Sequence, residues 1–206
     1  MIGPEQAPTR AAVLELRQER GVVSEAYDFL DEKRLLLAAE LLRQLDDYQQ
    51  LQAKFESLLG QARRQLIAAV ERHGVQGLSV YPVALLEGAR LQQQQRNFMA
   101  VTLVETQLLV PEAQQSAPRP ASNPSSEAEA CRKVFADMIR HSAVLAGLSG
   151  NLHRLLAEYR LTERRARALE NVILPEIEQS LNEMNSYLEE ADMEDAIRAR
   201  LQRHER

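Results

Sequence analysis

Residues 37–58 read LAAELLRQLDDYQQLQAKFESL, with apolar side chains at Leu37, Leu41, Leu45, Tyr48, Leu51, Phe55 and Leu58. The steps between them are threes and fours. At 3.6 residues per turn this draws one narrow apolar stripe down a helix, the pattern of a coiled-coil seam. The same spacing runs back through Leu30, Tyr27, Val23, Leu16 and Val13 and forward through Ala62, Leu66 and Ala69. Arg20 and Arg34 interrupt the stripe, and Gly21 and Gly60 weaken it locally. Thr9, directly after Pro8, has the side chain of an N-cap. One helix over 9–72 follows, about 90–100 Å long at 1.5 Å per residue.

A second seam lies near the other end. Val134, Met138, His141, Leu145, Leu148, Leu152, Leu155, Tyr159, Thr162, Ala166, Leu169 and Ile173 keep the spacing, which then skips to Ile177, Leu181, Met184, Leu188 and Ala191. The skip is a local eleven-residue spacing, which unwinds a left-handed supercoil. Pro175 stands at that point, lacks a backbone donor and predicts a bend. Ser126 and Glu129 have capping-box spacing, so this helix is expected over 127–206.

Between the helices the pattern changes. His73-Gly74 and Gly77 stop the first helix, and Tyr81-Pro82 marks an extended step. Phe98 to Val104 is apolar and β-branched enough for a strand, with a partner expected from Leu78–Val83 or Thr106–Val110. The insert is therefore set at 73–110 with a hairpin. Four of the eight prolines fall within 111–126, which reads as a Pro/Ser-rich loop, and residues 1–8 as an N-terminal tail. The expected fold is mainly α: two long helices in an antiparallel coiled coil with a small central β-hairpin or helical insert. A two-helix rod has a thin core, so the chain is expected inside a larger assembly.

Composition narrows the function. Of 206 residues only 4% are aromatic and none is Trp, too few for the thick core of a compact enzyme, whereas Leu, Ala, Glu, Arg and Gln suit long helices. The net charge of −5 comes from interleaved acids and bases, which speaks against nucleic-acid binding. The single cysteine excludes an internal disulfide and fits a reducing compartment. No secretory signal and no apolar run of about 18–20 residues is visible, so a cytoplasmic chain that meets membranes only through partners is expected.

No catalytic, cofactor or metal site is expected. Phosphate-cradling glycine motifs are missing, and the four histidines form no ligand set. Cys131 sits on the second helix without a positioned base. The cluster Glu189-Glu190-Ala191-Asp192-Met193-Glu194-Asp195 reads as a solvated face, followed by Arg198, Arg200, Arg203 and Arg206.

Three segments together resemble a known family. Pro8-Thr9-Arg10-Ala11-Ala12-Val13-Leu14-Glu15-Leu16-Arg17, followed by Leu30-Asp31-Glu32-Lys33-Arg34, is similar to the opening of the D subunit of the V-type and A-type rotary ATPases. Arg96-Asn97-Phe98-Met99-Ala100-Val101 resembles that family's R-N-x-M-G-V step into a central hairpin, with Ala100 in place of the frequent Gly. Thr162 to Pro175, TERRARALENVILP, resembles its R-R-V-N-A-L-E-x-x-x-I-P signature, with Ala166-Arg167 for Val-Asn. The resemblance implies a non-catalytic central-stalk rotor that transmits torque between a membrane ion-translocating ring and a catalytic hexamer, coupling ATP synthesis or hydrolysis to proton or sodium transport. Its implied partners are the catalytic and regulatory subunits of the hexamer, the F subunit of the stalk and the collar subunit above the ring. Arg20, Arg34, Arg164, Arg165 and Arg167 then become candidates for contact with the hexamer, and Pro175 for shaping the shaft. Solvent-facing or intra-pair charges are the other reading of those arginines. A non-catalytic coiled-coil scaffold or tether is the alternative function.

Overall fold

A computed structural model describes residues 9–81, 86, 88–110, 121 and 123–204. The elements in chain order are helix α1 (Arg10–Ser79), strands β1 (Arg90–Phe98) and β2 (Val101–Leu109), helix α2 (Ser126–Ala168), a π-helical turn (Leu169–Ile173) and helix α3 (Leu174–His204). The chain is mainly α, with one two-stranded antiparallel hairpin among the described residues. The expected tail at 1–8 and most of the Pro/Ser-rich stretch, 111–120 and 122, lie outside the described residues, as does Pro82 of the extended step.

Helix ends follow local chemistry. The Thr9 hydroxyl accepts the Ala12 N–H at 3.1 Å, so Thr9 is the N-cap of α1. Ser125, one residue before the expected cap, accepts the Ala128 N–H at 3.2 Å, and α2 starts at Ser126. The first helix does not end at His73. It breaks at Gly74 (φ 69°, ψ 165°), a conformation only glycine adopts readily, and turns helical again as far as Ser79. Residues expected as a strand partner, Leu78 and Ser79, are thus helical.

The chain divides into two compact units, Met1–Leu36 with Tyr159–Arg206, and Leu37–Glu158. In the first, the start of α1 runs antiparallel to the C-terminal helix. Arg10 meets Asp192 through both carboxylate oxygens at 3.0 Å, and Arg20 meets Glu178 at 3.4 Å. Beside these contacts Val13 and Leu16 pack with Ile177 and Leu181.

In the second unit, α1 and α2 are again antiparallel. Residues 44–51 line a cleft together with 144–151, whereas His73 Nε2 lies 2.6 Å from the Ser125 hydroxyl. The hairpin folds back along this pair. Its nine-residue register pairs Arg90 with Leu109 and Phe98 with Val101, so the turn is Met99-Ala100. The expected strand from Phe98 to Val104 therefore spans a turn, and its partner is the Gln-rich 90–98 rather than 78–83 or 106–110. Val101 and Leu103 supply the buried apolar face, and that packing carries a strand of weak β propensity beside it. Met99 (φ 46°) and Ala100 (φ 68°) both occupy the left-handed region that a two-residue hairpin turn requires.

Three contacts bolt the hairpin to α2. The Asn151 carboxamide takes the Val104 N–H at 2.7 Å and gives an N–H to the Val104 carbonyl at 3.1 Å, acting as a one-residue substitute for a neighbouring strand. The Thr106 hydroxyl donates to the Ala143 carbonyl at 2.5 Å. Gly147 lets Thr106 approach, because a Cβ there would lie 2.3 Å from Thr106 Oγ1. A charged contact ties the hairpin to α1. Glu40 Oε1 accepts from Arg43 at 2.7 Å, from Gln44 at 2.8 Å and from Arg96 of β1 at 3.0 Å. The Arg43 hydrogen bond, with help from Gln44 and Arg96, holds the Glu40 carboxyl down to about 2, against the opposing effect of burial.

Candidate functional site

All six residues singled out from the sequence fall in the first unit, on the paired ends of the chain. The surface there is organised around an irregularity in the C-terminal helix. Leu174 donates its N–H to Leu169 O, a five-residue hydrogen bond, and Leu169–Ile173 form a π turn. Pro175 follows at once. It has no N–H to give to Asn171, and its ring would crowd that carbonyl in a regular helix, so a widened turn is the low-cost way past it. The eleven residues from Ala166 to Ile177 are taken up by this turn. Ala166 and Ile177 are both buried at the seam, whereas Val172 and Ile173 are turned outward, 50% and 36% exposed. Ile173, expected on the seam, is thereby displaced from it.

Tyr27 of α1 faces the turn. The negative charge of Glu170, then burial and Asp31, push its phenol above its ordinary value against the pull of Arg34.

The arginines separate into two groups. Arg20 is paired with Glu178 across the helices, Arg34 with Asp31 one turn away, and Arg167 with Glu163 at 2.6 Å. Arg164 and Arg165 are exposed and form no ion pair among the described residues. They stand within ten residues of the exposed Val172 and Ile173 on the same helix. Among the described residues no group of three or more His, Cys, Asp or Glu could hold a metal. Burial pushes the Cys131 thiol up, which disfavours a thiolate nucleophile. No helix among the described residues is long and apolar enough to cross a membrane.

Similarity to known proteins places the chain in a family. The model of the family described as the D subunit of ATP synthase matches residues 12–203. The chain belongs to the ATP synthase D-subunit family. It is 30% identical over 196 residues to the V-type ATP synthase D subunit of Anaeromyxobacter dehalogenans strain 2CP-1, covering 94% of this chain and 93% of that one. The V-type D subunit of Thermotoga neapolitana is 25% identical over 192 residues (93% and 94% covered). The A-type D subunit of Pyrococcus furiosus is 24% identical over 199 residues (93% and 90%). As a D subunit, the chain is a non-catalytic, central-stalk component of a V/A-type ATP synthase complex.

Sequence reasoning passed over Asn151, Thr106 and Gly147, which position the hairpin. One signal was present: an amide at Asn151 inside an apolar helical series, flanked by Gly147 and Gly150. Its meaning depends on which strand passes nearby, and that is not local information.

Proposed function

We propose that this D-subunit chain works as the rotor shaft of its complex, transmitting torque between the membrane ion-translocating ring and the catalytic hexamer. The paired chain ends enter the hexamer of catalytic and regulatory subunits. The second unit, with its hairpin, faces the stalk's F subunit and the collar subunit, so contact with the membrane is indirect. The supporting observation is the lopsided surface of the first unit: the π turn at Leu169–Ile173 brings Val172 and Ile173 out on a helix that also presents two uncompensated cations.

A shaft with unlike sides presents a different surface to each member of a surrounding ring as it turns. It therefore favours a different conformation at each nucleotide site, which is what coupling by population shift requires. In this reading Arg164 and Arg165 make polar contacts with the hexamer. Arg20, Arg34 and Arg167 hold the shaft's own geometry through their ion pairs, and Pro175 fixes the position of the turn. The test is Arg164→Glu combined with Arg165→Glu in the reconstituted complex. ATP-driven ion transport is expected to fall severalfold while hydrolysis by the hexamer continues. Transport unchanged in an assembled double variant would overturn the assignment of these arginines.

A further inference from the structure

The two edges of the hairpin are treated differently. The outer edge of β2 is closed at Val104, whose N–H and C=O are both taken by Asn151. Because Val104 spends its backbone groups on Asn151, its register partner Gln95 belongs to a non-hydrogen-bonded pair. It follows that Leu91, Gln93, Gln95 and Asn97 direct their backbone groups away from β2. Among the described residues those groups have no partner.

Among the described residues neither a bulge, a proline nor a covering segment blunts this edge. The nine pairs run without a bulge, β1 contains no proline, and every β1 residue except Phe98 is exposed. Proteins usually disrupt such an edge, because it templates another strand. Along the hairpin's face toward α2 lies a groove of about 340 Å³, lined by Leu91 and Gln93 of β1 and Val104 and Thr106 of β2, floored by Gly147 and Gly150, with Arg154 in its lining. Neither β1 nor the groove lining carries an acidic residue, while Arg90 and Arg154 bring positive charge.

We propose that β1 receives an extended strand from a neighbouring subunit of the complex, one that sets apolar residues and a carboxylate for Arg154 over the groove and a further carboxylate toward Arg90 on the opposite face. Backbone pairing along 91–97 supplies the attachment, and the groove with its cations selects the sequence, as in other strand-addition interfaces. The inference rests on the rotor reading for its neighbour but specifies a contact which that reading does not require.

The test compares amide exchange in the isolated full-length chain and in the purified ATPase complex, with Gln93→Pro as the variant. Proline at 93 removes an outward N–H and leaves the inner ladder intact. In the isolated chain the amides of Leu91, Gln93, Gln95 and Asn97 are expected to exchange fast and those of Gln92, Gln94 and Arg96 slowly. In the complex the outward set slows at least about tenfold, and Gln93→Pro weakens retention in the complex by about tenfold while its inner amides stay protected. Outward amides as fast in the complex as outside it, or full retention of Gln93→Pro, overturn the proposal and leave the rotor reading standing. A wild-type chain that never enters the complex overturns both.

Discussion

Gly147→Ala reads the attachment of the hairpin through the sign of a stability change. In an unobstructed helix the substitution stabilises by about 1 kcal/mol, since alanine loses less backbone entropy. Here the added methyl would lie 2.3 Å from Thr106 Oγ1 and 3.2 Å from its Cβ and Cγ2. Thr106 has little room to move: it is buried, and its hydroxyl is tied to Ala143 O. Overpacking costs about 1–3 kcal/mol and a disrupted hydrogen bond about 1 kcal/mol more. Set against the helical gain, a net destabilisation of about 1–3 kcal/mol is expected. Urea denaturation followed by circular dichroism measures it, and amide exchange at 101–109 shows whether the hairpin loosens first. Gly21→Ala is the matched control, because nothing lies within 4 Å of the added carbon, and it should stabilise by about 0.5–1 kcal/mol. Combining Gly147→Ala with Thr106→Ala should cost less than the sum of the two single changes, since the 2.3 Å clash with the hydroxyl is removed and only the Cβ contact at 3.2 Å remains. If Gly147→Ala stabilised the protein as Gly21→Ala does, the close seating of β2 on α2 would be wrong.

Ala100→Gly should stabilise the protein by about 1 kcal/mol in the same denaturation assay, since alanine at φ 68° carries a left-handed cost that glycine avoids. The Glu40 carboxyl is held at about 2 in the folded chain, below its ordinary value of 4.5. Its contribution is thus fully present above about pH 5 and lost as pH falls toward 2, and Glu40→Gln should flatten the acid limb of a stability-versus-pH curve. Pro175→Ala restores a backbone donor, and should raise thermal stability while weakening the coupling of ATP turnover to ion movement in the assembled complex. Higher stability with unchanged coupling would make the turn purely structural.

Legibility from sequence followed the range of the interactions. Most of the two seams, 13–69 and 134–188, was visible because a helix repeats its environment every turn, although Leu66 and Ala191, expected on them, are exposed. The Ala166-to-Ile177 spacing and Pro175 point to unwinding and a bend at this place in the helix, and the structure has a π turn there. The hairpin was misplaced by several residues because Met99-Ala100 carries none of the Asn-Gly chemistry that announces such a turn, and Gln92 to Gln95 has no strand propensity of its own. What holds β1 in place is buried Val101 and Leu103 on β2, together with Asn151 some fifty residues further on. Which arginines stay unpaired was equally out of reach. Arg164 and Arg167 lie in the same run, and only the placement of Glu163 separates the free one from the engaged one.

A rotor shaft of this kind has to turn inside the hexamer. A bead attached to the second unit of the full-length chain, in a complex immobilised through its catalytic subunits, should rotate in one direction when ATP is supplied and stop when ATP is withdrawn. Steady ATP hydrolysis by complexes that contain the chain while the bead stays fixed would contradict the account.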